Sequence, residues 1–372
     1  GIFLLMINLA AFISPHGFGH AARTCAILDA LIRLQPGLHV HLFTRTPEWF
    51  FRDSLQSPFT YHPTLSDVGL VQTSALAENL PVTLRTLDDF IPFPEYRLAE
   101  LSQELRETHC QLVLCDISPL GIEVARRAGL ASVLVENFTW DWIYGGYTHI
   151  EPEFQRFIDL LSPVFLSAIY HIQAQPACAG WHKPNLSVPP ISRQPRQPIE
   201  VVRKQLEIPL TEKAVLVTLG GIRGQLNFLD HLPNLPGIHF IVPGASRHFQ
   251  KVRNQIHLPF HTPIFHPDLV RASDAIIGKA GYSTVAEAFH AGVPFGYVPR
   301  PNFREAPILE NFLKENLHGI RLEETAFFSG RWKPVLDRLL SFPVAPSGEV
   351  NGSGLAAAFI SDLLDHPSPA FS

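Results

Sequence analysis

Apolar runs of strand length alternate with segments of helical period along the whole chain, a pattern that predicts parallel sheets covered by helices. In the first half, strands are expected over residues 2–13, 38–43, 111–115, 131–135 and 168–172. Between them, residues 20–34 and 119–128 place apolar side chains three and four apart, the spacing of a helix packed on a sheet. Residues 184–198, PNLSVPPISRQPRQP, show no period and carry too many prolines for either element, so they are expected to be an irregular connection between domains. The pattern then restarts, with strands over 214–218, 238–242, 274–277 and 294–298, a glycine loop after the first, and a helix over 283–290. A Gly- and Ser-containing tail turns apolar from 355 to 364, which is expected to form a last helix lying back on the body. This divides the chain into residues 1–190, 191–350 and 351–372. Two doubly wound halves facing each other leave a cleft at the carboxyl ends of their strands.

Length and composition agree with two domains: the 372 residues are 46% hydrophobic, enough to bury two cores. A net charge of -5 offers no electrostatic footprint for a nucleic-acid backbone, and no nucleic-acid partner is expected. Cys25, Cys110, Cys115 and Cys178 form neither a CxxC pair nor a disulfide framework, and this usage points to the reducing cytoplasm. The opening apolar run is shorter than a membrane span and lacks a basic leader, so it is expected to be a strand, with Met6 a candidate natural start. No transmembrane segment is expected, peripheral contact with a membrane stays open, and oligomeric state is not read.

The sharpest chemical signal is SPHGFGHAAR, residues 14–23, at the junction of the first strand and its helix. Gly17 and Gly19 permit a tight turn and let substrate approach the backbone. The segment is not the GxGxxG dinucleotide fingerprint, and no acidic residue ends the second strand, which argues against a nicotinamide enzyme. His16 and His20 stand at the cleft mouth, suited to take a proton from a hydroxyl or simply to bond loop carbonyls. Asp116 ends another strand, where it either orients a histidine or caps the following helix, a role Ser118 fills equally well. ENFTWDWIYGGY, residues 136–147, brings Asn137, Trp140, Asp141 and Trp142 to a third strand end, as an acceptor pocket or as core.

In the second half, TLGGIRGQ (218–225) offers Gly220, Gly221 and Arg223 to a pyrophosphate. GKAGYSTVAEAFHAGVP (278–294) joins strand, glycine turn and helix, with Lys279, Gly281, Ser283 and Thr284 at a helix start suited to phosphate. Ser283 and Glu287 share a helix face. Thr284 and Glu287 also have the spacing of a capping box, in which the glutamate serves its own backbone.

Taken together, these segments resemble bacterial UDP-sugar glycosyltransferases. SDAIIGKAGYSTVAEAFHAGVPFGYVPRP (273–301) is similar to their donor region, including that of the N-acetylglucosaminyltransferase that makes lipid II. HGFGHAAR with ENFTWDWIY looks closer still to the transferase-like half of plant L-arabinokinases and their bacterial relatives. The resemblance implies an α/β fold of the GT-B kind, two Rossmann-like domains with the acceptor in the first and a nucleotide sugar in the second. It implies His20 as general base and Asp116 as its orienting carboxylate. Glu287 falls where the family binds ribose and His266 where backbone holds the base, while Arg304 and Glu305 stand near the usual sugar-contacting pair. A glutamate kept for ribose is expected to carry binding and little stability. The implied reaction is inverting and metal-independent, since no Asp-x-Asp motif is present, with no cofactor beyond the nucleotide-sugar co-substrate. Two other outcomes compete: a 2-epimerase-like enzyme that needs no acceptor, and a sugar-nucleotide sensor that binds without turnover.

Overall fold

The computed structural model describes residues 6–178, 183–219 and 226–367. Among them, β1 (Ile7–Ile13), β2 (Leu38–Thr44) and β3 (Phe59–Pro63) are followed by a small hairpin, β4 (Gln72–Ser74) with β5 (Ala77–Glu78). Then come β6 (Cys110–Asp116), β7 (Ala131–Glu136), β8 (Tyr170–Ala174) and β9 (Leu186–Val188). The first sheet runs β3-β2-β1-β6-β7-β8-β9, all parallel. The second is built from β10 (Lys213–Thr218), β11 (Ile238–Pro243), β12 (Gln250–Val252), β13 (Gln255–Leu258), β14 (Ala275–Lys279), β15 (Phe295–Val298) and β16 (Ile320–Arg321). Its order is β12-β13-β11-β10-β14-β15-β16, parallel except for β12 against β13.

Both faces of each sheet are covered, which is why the strands read as continuous apolar runs. β1 sends Leu9, Ala11 and Ile13 into one core and Ala10 and Phe12 into another. β10 divides Ala214 and Leu216 from Val215 and Val217 in the same way. The order reverses at β1/β6 and at β10/β14, and the loops leaving those strands part there to open a crevice. At the second switch, Gly278 is held at φ +152° with the Thr218 carbonyl oxygen 1.7 Å from where a Cβ would stand, so only glycine fits.

One expectation needs correction and one open choice is settled. The proline-rich connection is not wholly irregular, because Leu186–Val188 within it pairs parallel with β8 and extends the first sheet. A short edge strand tolerates flanking prolines that a central strand does not. The helix after β6 is capped by Ser118, whose Oγ accepts from the Gly121 N–H at 3.2 Å and donates to the Ser66 carbonyl at 2.7 Å; Asp116 does not cap it. Ser118→Ala is therefore expected to lower unfolding stability by about 1–2 kcal/mol, read as a shift of the urea midpoint.

The last helix, Gly352–Asp365, packs on the first one, Gly19–Leu34, and Ala356, Ala357, Ile360 and Leu364 enter the core beneath the first sheet. Gln35 Nε2 fastens the two by donating to Ser361 Oγ at 2.8 Å and Asp365 Oδ1 at 2.9 Å. Among the described residues no helix is long and apolar enough to cross a membrane.

Candidate active site

A cavity of about 460 Å³ lies between the carboxyl ends of the two sheets. His16, Gly17, Gly19 and His20 border it from the loop and helix after β1, and Lys279, Gly281, Ser283 and Thr284 from the turn and helix after β14. A side chain added at Gly17 or Gly281 would meet nothing within 4 Å, so bare backbone faces the space. Gly17 also needs its freedom for φ +66°.

His20 is the second residue of the first helix and is buried. Its Nδ1 lies 3.0 Å from Asp116 Oδ1, which leaves Nε2 as the ring nitrogen for the cavity. Asp116 is itself buried and is shared with Arg23, whose Nη2 donates to Oδ1 at 2.7 Å and Nε to Oδ2 at 2.9 Å. Burial alone would raise the Asp116 carboxyl, but the Arg23 guanidinium and the bond to His20 outweigh it and hold the group below the usual carboxylate range. Arg23 Nη1 continues to Asn137 Oδ1 at 2.7 Å, and Asn137 Nδ2 donates to Glu305 from the second half. Burial pushes the Glu305 carboxyl up despite that donor.

His16 differs from its neighbour. Burial first, then the charges of Lys279, His20 and Arg300, lower its pKa well below the ordinary histidine value, and its Nε2 has no protein partner. It is a neutral ring at physiological pH. Lys279 is brought down to about 7, by burial and then by Arg300, so an anion bound beside it would restore its charge.

Five residues expected at substrate do not border the cavity: Trp140, Asp141, Trp142, Glu287 and Arg304. Trp140 is fully buried, its ring 5.1 Å from that of His16 and 6.1 Å from that of His20, so it supports the histidines from beneath. Asp141 is buried and accepts from Ser162 Oγ at 2.7 Å. Arg304 reaches across to the first half, its guanidinium 4.3 Å over the Trp142 ring and Nη1 donating to the Trp142 carbonyl at 2.7 Å. Asn137 and Glu305 do border the cavity.

The donor-side helix, Tyr282–Ala291, has Gly281 at its N-cap, so Thr284 lies inside it and the capping-box reading is overturned. Glu287 is buried with both oxygens engaged. Oε1 accepts from Arg193 Nη2 at 3.0 Å and Nε at 3.3 Å, and Oε2 meets His266 Nδ1 at 2.7 Å. Arg193 and His266, rather than Glu287, border the cavity. Gly220, Gly221 and Arg223 fall outside the described residues.

Sequence reasoning missed Arg23, Arg193 and Arg300. Arg300 is buried, pairs with Glu78 of the β4–β5 hairpin and has its guanidinium 4.1 Å over the Phe303 ring. Arg23 left one signal: residues 20–28 are apolar or small nearly all round the helix, and a charge in such a helix must find a buried partner.

Comparison with known proteins gives this arrangement a context. The sequence model described as "Glycosyl transferase family 1" matches residues 11–328. L-arabinokinase of Arabidopsis thaliana is 31% identical over 362 residues, which are 95% of this chain and 34% of that protein. The chain thus spans about a third of its relative's length. Among solved structures, CalG4, the calicheamicin glycosyltransferase, superposes with a TM-score of 0.63 at 15% identity, covering 98% of this chain and 100% of its own. Arabidopsis thaliana UGT89C1, complexed with UDP, gives 0.60 at 11% identity, covering 96% and 99%. These likenesses establish the GT-B fold.

Proposed function

Since the chain belongs to glycosyl transferase family 1 and is a glycosyltransferase, we propose that it moves a sugar from a nucleotide-diphospho donor, UDP-linked, to a hydroxyl acceptor with inversion, His20 acting as base. The observation that carries this reading is the His20–Asp116 contact at 3.0 Å, with the rest of the imidazole on a cavity between the two halves. The acceptor enters from the His16 and Asn137 side. Its hydroxyl proton passes to Nε2 of His20 as its oxygen forms the new bond to the sugar's anomeric carbon. The bond from that carbon to the diphosphate breaks on the opposite face, and the electron pair leaves with the phosphate. Free N–H groups at the start of helix Tyr282–Ala291, with Lys279 beside them, meet the charge that departs. Gly220, Gly221 and Arg223 are assigned to the same diphosphate. Among the structural neighbours UGT89C1 is complexed with UDP and VinC with dTDP, which supports a pyrimidine nucleoside diphosphate as the donor's leaving group, with uracil the base proposed here. The reaction needs no metal or cofactor in this reading.

Calorimetric titration with UDP, followed by incubation with UDP-sugars and a panel of alcohols, tests the proposal. Expected are UDP binding and a glycosylated alcohol whose anomeric configuration, read by NMR, is opposite to the donor's. Failure to bind UDP, or release of an epimerised sugar without any transfer, would sink it.

A further inference from the structure

The Asp116 carboxylate faces two basic groups at once, and the way it is shared bears on how strong a base His20 can be. A carboxylate alone beside a buried imidazole favours the imidazolium by about one to three pH units. A histidine already protonated at neutral pH cannot accept the acceptor's proton. Here Asp116 is not alone: Arg23 bonds both of its oxygens, at 2.7 and 2.9 Å, and His20 shares Oδ1 at 3.0 Å. With the guanidinium charged and the carboxylate ionised, the trio is neutral only while His20 carries no extra proton. Among the described residues, His16, whose ring centroid is 6.4 Å away, and Glu305 from the second half also act on His20, and Lys279 and Arg300 border the same cavity. Phe138 and Trp140 complete its surroundings without charge.

We propose that Arg23 is a positioning residue that holds Asp116 in a charge-balanced pair, so that Asp116 orients His20 without keeping it protonated. The proposal rests on the reading of His20 as the base. It also explains the expense of placing a guanidinium 1% exposed inside the first helix. Arg23 is fixed from the second half as well, through the Tyr282 ring 4.8 Å from its guanidinium and through the Asn137–Glu305 bridge.

The test follows the His20 imidazole by NMR titration of the histidine-labelled protein without substrate, the signal assigned by its loss in His20→Gln. In Arg23→Gln the neutralising charge is gone, and the His20 midpoint is expected to rise by about one to three pH units. Arg23→Lys keeps a charge but not the two-oxygen grip, and a smaller rise is expected. If Arg23→Gln does not fold, the rise in Arg23→Lys carries the proposal. An unchanged or lowered midpoint in whichever variant folds overturns it, since a merely structural arginine would alter melting and leave the midpoint in place. The titration uses no donor or acceptor, so a failure here is distinct from a failure of His20 as base, which shows in the transfer rate of His20→Ala.

Discussion

His20→Ala is expected to slow sugar transfer by about a hundredfold to ten-thousandfold, the usual worth of a general base, while UDP affinity changes little. The separation follows from geometry. His20 stands on the helix after β1, whereas the groups proposed for the diphosphate stand on the turn and helix after β14. At the second position of its helix His20 stands at the positive end of the helix dipole, and Asp116 fixes its ring through Nδ1 so that Nε2 is the nitrogen presented to the acceptor. Steady-state rates beside calorimetric UDP titrations check both halves of the expectation. Near-normal turnover by His20→Ala would remove the mechanism. His16 is a poor substitute, because its buried surroundings already hold it neutral and would resist the proton it would have to take. Asp116→Asn is a less clean probe, since it strands the buried Arg23 charge and lowers stability along with rate.

The fold was legible where the physics is local. The strand ending at Ile13, the glycine turn and the helix Gly19–Leu34 follow from an apolar run, two glycines and a helical period; the strand ends and the helix begins and ends within a residue of the expected bounds, while residues 2–5 of the expected strand lie outside the described residues. β3 left no such run, since FTYHP is half exposed and owes its pairing to β2. β9 was hidden by prolines for the same reason: an edge strand is fixed by its neighbour rather than by its own composition. In the site, the residues found from sequence were those on strand ends and glycine turns, His16, His20, Asp116 and Lys279, where position alone signals exposure to a cleft. Which of two partners a side chain takes was not legible. Asp116 was open between a helix start and a histidine; it meets His20, 96 residues away, while Arg23, 93 residues away and on the same helix as His20, claims both its oxygens and left no mark at Asp116 itself. Trp140 and Asp141 show the converse: Asn137 and Phe138 just before them reach the cleft, while these two open a short helix, Trp140–Gly145, and turn their side chains into the core.

Glu287→Gln is expected to destabilise the protein by about 3 kcal/mol or more, because it leaves the buried Arg193 guanidinium without its counter-charge. This reverses the expectation of a small cost drawn from a ribose-binding role alone. Arg193 is itself buried, its guanidinium 4.8 Å from the Phe50 ring and 5.0 Å from that of Phe265, with Nη1 donating to Ser54 Oγ at 3.0 Å. Only an edge of the guanidinium reaches the cavity, so most of its charge would be left without a counter-charge. Burial would raise the Glu287 carboxyl, yet Arg193 and then His266 prevail and depress it below the usual glutamate value. A depressed carboxyl contributes stability that is fully present above its unfolded value, near 4.3, and is lost as pH falls through the folded one. Wild-type protein should therefore lose melting temperature faster than Glu287→Gln as pH drops below about 4.3, the two curves converging in acid. Melting curves across pH 7 to 3 read this directly, and parallel curves would show that the carboxylate contributes no net charge stabilisation. UDP titration of the same variant at pH 7 adds the functional half. If ribose displaces Arg193 to reach Glu287, affinity falls in the folded variant; if the ribose is held elsewhere, only the melting temperature moves.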